Sequence, residues 1–431
     1  MRFVAPDPVA PPVGGEMAPR HLFPPEPASM LPGKDQVGGV RSPLMMTDLE
    51  GMALANNPTL ALAARRVEAL HGKYLQVGLR PNPSIGYLGE EIGGEGKAGQ
   101  HGIVLGQRYV TGHKLGLNRA VVSHEIQRAR QELEIQRHRV LNGVRARAYE
   151  VVAAQRMVDL NGRLFAIGTE GVKAAGDLRR AKEVSQVDVL QAQVEANSAK
   201  LALGNARNEY MAAWRRLAAV IGMPEMTPTP LADQLNQQVP TLSWNVAVTR
   251  LLAESPELAR AWSGVEQAKC ALTRAQAGRK PDIDVEASVR YNNASENTTA
   301  TIGVGVPLQL FDRNQGNIRK AYAELAAAKW EVRRVELALQ DRLAGVYKRY
   351  DNARQQTDQY NTEILPDANA SLELVRKGYQ QGEFGYLELL TAQRTYFRAN
   401  LAYLEGLRAL WTSSVEIEGL LLTGGLATPG Q

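Results

Sequence analysis

The sequence predicts a mainly α fold with a small β part, in which one unit of strand hairpin plus long helical hairpin occurs twice. Three observations carry this expectation: a composition rich in helix formers, an internal duplication, and a change of hydrophobic period at matching places in the two halves. Aromatic residues make up only 6% of the 431 residues, while Ala, Leu, Arg, Gln and Glu are abundant. Strong helix formers in long stretches point to helices packed on helices.

The duplication is read directly from the residues. Ala55-Asn56-Asn57-Pro58-Thr59-Leu60-Ala61 recurs 198 positions on as Ala253-Glu254-Ser255-Pro256-Glu257-Leu258-Ala259, and Val67-Glu68 recurs as Val265-Glu266. The same shift carries Pro83 to Pro281 and Ile85 to Ile283. With two more residues inserted, Gly116 and Arg119 match Gly316 and Arg319, and Leu190, Ala192, Gln193 and Leu201 match Leu390, Ala392, Gln393 and Leu401. The chain divides accordingly into a first repeat over 45–228, a linker over 229–241, a second repeat over 242–423 and a flexible tail over 424–431. Residues 1–44 hold nearly half of the prolines and read as a disordered leader. That leader lacks the apolar core of a secretory signal, so an exported protein would have its signal elsewhere or already removed.

Within each repeat a short helix ends near a proline, and a second helix runs from Pro58 to about Val77 or from Pro256 to Gly278. The period then changes to two. Ile283, Val285, Ala287, Val289 and Tyr291 alternate with Asp284, Glu286, Ser288 and Arg290, and after a polar turn Ile302, Val304, Val306, Leu308 and Leu310 alternate with Thr301, Gly303, Gly305 and Gln309. These read as two strands of about ten residues with one apolar face, the length and alternation of a bilayer-spanning barrel strand. The first repeat has Ile85 and Tyr87, then Ile103, Leu105 and Tyr109, joined by a Gly-rich segment over 93–102. A soluble hairpin with one wet face is the alternative for such a pair. Four strands cannot close a barrel, and open edges are not tolerated in lipid, so a membrane role requires several protomers.

A very long helix follows each hairpin, over about 115–178 and 315–380. Leu325, Val332, Leu339 and Val346 recur every seven residues, as do Leu390, Phe397, Leu404 and Trp411 in the returning helix. Sustained heptads imply coiled-coil packing. The turns between outgoing and returning helices fall near 177–186 and 378–385.

These residues resemble the TolC family of outer-membrane efflux proteins over about 47–422. The motifs are Asn57-Pro58, the run Pro307-Leu308-Gln309-Leu310-Phe311-Asp312-Arg313-Asn314-Gln315-Gly316, and Gly378-Tyr379 with Gly382-Glu383 before Leu387-Glu388-Leu389-Leu390-Thr391-Ala392-Gln393-Arg394. The last two are most similar to the branch serving cobalt-zinc-cadmium efflux. The resemblance implies a homotrimer, a twelve-stranded barrel in outer-membrane lipid, and an α-helical barrel continuing through the periplasm. A periplasmic adaptor and an inner-membrane pump of the resistance-nodulation-division class are the implied partners, and no cofactor is implied. Members carry a signal peptide, often with a lipid-bearing cysteine; neither is visible here, so the resemblance gives no support for a lipid anchor.

The resemblance also implies a periplasmic aperture. Acidic residues just beyond the hairpin tips ring it in the family, and Asp188 and Glu388 take matching places in the two repeats. The family's second acidic position is Thr391 here, and its locking arginine falls on Phe384, whereas the tyrosine partner is kept as Tyr379. The alternative reading of Asp188 and Glu388 is as first-turn carboxylates that favour a helix N-terminus.

Other functions are disfavoured by what the residues lack. The formal charge is +5, but Lys and Arg are interleaved with Glu, without the basic block of a nucleic-acid arm. Cys270 is the only cysteine, which excludes an intrachain disulfide, and its helical neighbours Val265, Ala268, Ala271 and Leu272 predict a small buried residue. No run of eighteen apolar residues exists to form a transmembrane helix. Gly303-Val304-Gly305 lacks the third glycine of a dinucleotide loop, and no catalytic elbow or paired zinc motif occurs. His113, His124 and His138 read as surface histidines without convergent metal partners. A soluble coiled-coil scaffold would explain the heptads but not the paired hairpins; a type I secretion or drug-efflux channel is the alternative within export.

Overall fold

The computed structural model describes residues 43–93, 98–232, 241–381 and 383–428. In order it contains α1 (Met46–Asn56), α2 (Pro58–Gln76), β1 (Ser84–Glu90), β2 (Gln100–Tyr109), α3 (Lys114–Arg180) and α4 (Gln186–Ile221). The second repeat follows as α5 (Trp244–Glu254), α6 (Pro256–Ala277), β3 (Ile283–Asn292), β4 (Asn297–Gly305), α7 (Gln315–Gln359), α8 (Leu365–Gln380) and α9 (Tyr386–Glu418).

The matching prolines are helix starts. Asn57 and Ser255 cap α2 and α6, each with proline in the first turn, where its missing N–H costs no hydrogen bond. The heptads are the packing seams: Val332, Leu339 and Val346 on α7 and Leu390, Phe397, Leu404 and Trp411 on α9 are all buried. Burying each such side chain is worth about 1.5–3 kcal/mol, so the seams hold the helices together. One core gathers Val140, Val144, Trp214, Leu217 and Trp411; another gathers Leu251, Leu339, Leu343 and Tyr350. The repeats share both, since Trp411 of α9 enters the first and Ile135 of α3 the second.

The second outgoing helix departs from its expected continuity. Residues Tyr360–Ile364 form a π turn between α7 and α8, with the Leu365 N–H reaching the Tyr360 carbonyl. The cause is Pro366, which has no N–H for the helical ladder and whose ring crowds the preceding turn. The α3 helix has no proline and runs 67 residues, about 100 Å at 1.5 Å per residue.

The four strands form one antiparallel sheet in the order β1-β2-β3-β4. The β4 strand ends at Gly305 instead of reaching Leu310. Its partner β3 begins at Ile283, so the ladder runs out there, and Pro307 has no N–H to donate. Two further expectations are corrected. Cys270 is half-buried, because its helix α6 leaves that face partly open. Of the three histidines read as surface residues, His113 is exposed and left-handed ahead of α3, while His124 and His138 are half-buried on it.

At the other boundary, Leu44 forms a parallel bridge with Leu231; the leader before residue 43 lies outside the described residues. The tail from residue 424, expected to be flexible, begins anchored. The Gly425 carbonyl accepts from Asn57 (3.3 Å), Thr59 (3.2 Å) and Gln136 (3.3 Å), and Asn142 donates to Gly419 and Leu422. Buried carbonyls need such donors.

Candidate functional site: the hairpin tips and the two-faced sheet

The two tips are built alike. The Glu183 N–H donates to Leu178 O at 2.9 Å, and the Glu383 N–H donates to Gly378 O at 2.8 Å, each closing the outgoing helix before the chain reverses. Gly378 is needed where it stands, because a Cβ there would overlap the Phe384 ring. Phe384 therefore lies over the tip as a half-exposed cover instead of supplying a cation.

Asp188 and Glu388 are both third residues of returning helices, in α4 and α9. Their surroundings differ. Asp188 completes a capping box: its carboxylate accepts from the Ser185 N–H at 2.8 Å and the Ser185 hydroxyl at 2.7 Å. Those bonds hold its carboxyl below the usual carboxylate range, the hydroxyl contributing most. Gly385, the cap of α9, has no side chain to offer, and Glu388 lies with Thr391 along a groove lined by Ala368, Ser371, Val375 and Leu387. The Thr391 hydroxyl donates to Leu387 O at 2.8 Å.

Tyr379 meets Tyr386 edge-on, their ring centroids 6.4 Å apart. Burial, and then the Asp188 charge, pushes the Tyr379 hydroxyl pKa up; burial also raises Tyr386, with Glu195 next. Asp188 of the first tip thus faces the tyrosines of the second. Beside them Arg394 of α9 forks onto Glu195 of α4 at 2.5 and 3.3 Å. Neither Tyr386 nor this ion pair was anticipated from sequence; the available signal is an opposite charge at nearly matching places, two turns past each tip. Glu388 and Thr391 lie in their own groove, apart from this cluster. Among the described residues no group of three or more metal-ligating side chains converges.

At the far end the sheet has two unlike faces. Ile85, Leu105, Ala287 and Ile302 lie opposite one another across all four strands, as do Tyr87, Ile103, Val289 and Ala300. This apolar face is open: Ile302 is 78% exposed and Ile85 75%. The other face carries glycines and charge pairs, Arg108 with Asp284 at 2.7 Å and Arg290 with Glu90 at 2.7 Å. An apolar side without cover beside a polar side that has its own ion pairs suits a wall between lipid and water.

The second repeat, residues 247–421, matches the family model described as outer membrane efflux protein. The cobalt-zinc-cadmium resistance protein CzcC of Cupriavidus metallidurans is 26% identical over 386 residues, covering 88% of this chain and 90% of that protein. The match thus places residues 247–421 with the outer membrane efflux proteins. The fold and this match fit an outer-membrane efflux channel and not an enzyme class. The outer membrane efflux protein BepC of Brucella suis is 24% identical, covering 71% of this chain and 68% of that protein. Among solved structures, CusC superposes with a TM-score of 0.74 at 16% identity, covering 91% of this chain and 96% of that one.

Proposed function

We propose that three copies of this chain close a twelve-stranded barrel and continue it as a helical conduit, a passive exit duct for divalent heavy-metal cations. The observation that carries the reading is the sheet. Its apolar face is exposed, its glycine and ion-pair face would line water, and its outer strands β1 and β4 each leave an edge without a partner among the described residues. In lipid such edges must be closed by other copies. Driving force would come from an inner-membrane pump of the resistance-nodulation-division class, joined through a periplasmic adaptor at the hairpin tips. Metal cargo is supported by the similarity to a cobalt-zinc-cadmium resistance protein across nearly the whole chain.

At the tips we assign Glu388, with Thr391 along the same groove, to the aperture wall, and Tyr379, Phe384 and Asp188 to its closure. Three Glu388 carboxylates around one narrow wet opening would favour cations. The channel reading is tested by native mass measurement in detergent and by planar-bilayer conductance; a monomer without conductance overturns it. Cargo is tested by deleting the gene: tolerance to zinc, cobalt or cadmium should fall. Unchanged metal tolerance with altered tolerance to organic compounds would assign the chain to drug efflux.

A further inference from the structure

The chain contains its own template for the joint between copies. Val285 lies opposite Val304, while Tyr87, the counterpart of Val285, lies opposite Ile103. The β4 strand is therefore β2 moved 201 positions on. Left-handed His113 and Asn314, which start α3 and α7, are also 201 apart. The β3 strand is likewise β1 moved 198 positions on, as Ile85 and Ile283 show. The β2–β3 joint links the two repeats inside the chain; the next joint outward must link β4 to β1 of a second copy.

We infer that β4, prolonged to Leu310, pairs antiparallel with β1 of a second copy so that Leu308 lies opposite its Tyr87 and Leu310 opposite its Ile85. The register follows by carrying the internal joint across: Gln107 opposite Val285 becomes Leu308 opposite Tyr87, and Tyr109 opposite Ile283 becomes Leu310 opposite Ile85. This rests on the reading that copies close one barrel, and adds the alignment of the strands.

Two observations agree with it independently. The segment after Gly305 keeps strict alternation although β3 has ended, and its apolar members are among the most exposed in the chain, Leu308 at 82% and Leu310 at 64%. A strand pattern without a strand partner marks a partner in another chain. The parity also fits: Ile85 and Tyr87 lie on the open apolar face, as do Ile302 and Val304, from which Leu308 and Leu310 follow by twos. A slip by one residue would turn Leu308 and Leu310 toward the water-lined face. On that inner face the Arg108–Asp284 pair of the internal joint is replaced by Gln309 opposite Gly86, so the joint between copies lacks the ion pair found inside the chain.

The test is disulfide trapping of the full chain in detergent, on a Cys270→Ala background. Cysteines are placed as Leu308→Cys with Tyr87→Cys, as Leu310→Cys with Ile85→Cys, and as Gln309→Cys with Gly86→Cys. Directly opposed antiparallel residues have Cα atoms about 4.5 or 5.5 Å apart, alternating along the strand, and a disulfide spans about 4.4–6.8 Å. The three pairs therefore sample both spacings. The slipped pairs Leu308→Cys with Ile85→Cys and Leu310→Cys with Tyr87→Cys serve as controls. Oxidation should give covalent trimers from matched pairs at least tenfold faster than from slipped ones. Faster trapping of a slipped pair overturns the register, as does a trimer of native mass that none of the matched pairs can trap; the channel reading survives both. A monomeric Cys270→Ala parent in detergent would instead remove the channel reading, and the proposal with it.

Discussion

The two outgoing helices descend from one ancestor and have come to differ. The α3 helix runs 67 residues without interruption, whereas its counterpart is broken by the π turn at Tyr360–Ile364 ahead of Pro366. The tips differ in the same sense. The first has Leu178 where the second has Gly378 under Phe384, and the first has a capping box where the second has a bare Gly385. A duplicated frame has kept its seams in both halves, and the second half has gained an irregular helix and a glycine-based tip.

The largest test of the comparison is whether the two seams hold one structure. Leu217→Ala in the first repeat and Leu339→Ala in the second each empty a fully buried site and should each cost about 2–5 kcal/mol. Because the cores share α3 and α9 residues, denaturant unfolding should remain a single transition in both variants. A second transition in either would mean that the repeats unfold separately.

Next comes the tip. Gly378→Val places a side chain into the Phe384 ring and should cost about 1–3 kcal/mol as an overpacked site. Protease cleavage over 380–386 should rise, while Leu178→Ala in the first tip leaves cleavage there unchanged. Equal cleavage at both tips would remove the distinction drawn between them. Pro366→Ala then sharpens the helix comparison. A proline inside a helix costs about 3 kcal/mol, part of which the π turn relieves, so the variant should unfold at modestly higher temperature. Spin-label distances from α8 to α9 should shift as the helix regularises; unchanged distances would assign the π turn to a cause other than Pro366.

The smallest effects concern the paired acids. Glu388→Gln should lower cation selectivity in reversal-potential measurements with little change in stability. Asp188→Asn should leave selectivity nearly intact and act through the cap. Since the folded pKa of Asp188 lies below its ordinary value of 3.8, its contribution is complete above that value and is lost as pH falls through the folded pKa. Wild type and Asp188→Asn should therefore converge in stability at strongly acid pH. A constant difference down to that range would separate Asp188 from the cap.

Much of the frame was legible because its signals are long-range and redundant. The 198-residue shift, the heptads through Leu339 and Trp411, and the alternation through Val285 each repeat one fact many times. What escaped depends on single contacts. The end of β4 is set by where β3 begins, which alternation through Leu310 cannot reveal. The π turn needed the structure, since proline in a helical pattern permits a kink, a break or a bulge. Of the residues proposed for the aperture, the matching places of Asp188 and Glu388 could be read, but not that Ser185 would engage one and Gly385 leave the other without a side-chain cap. The Arg394–Glu195 pair joins helices whose mutual rotation no one-dimensional pattern specifies.

The anchoring of Gly425 bears on how such a chain is made. Its carbonyl is held by Asn57, 368 residues earlier, so this clasp cannot form until nearly the whole described chain has left the ribosome. Contacts of such separation close late in folding, after loop entropy has been overcome. Until then the segment after α9 is not tied to Asn57 and Thr59 at the start of α2. On the channel reading proposed above, secretion would come first, clasping second, and joining of strand edges between copies last, in the membrane where open edges would be most costly.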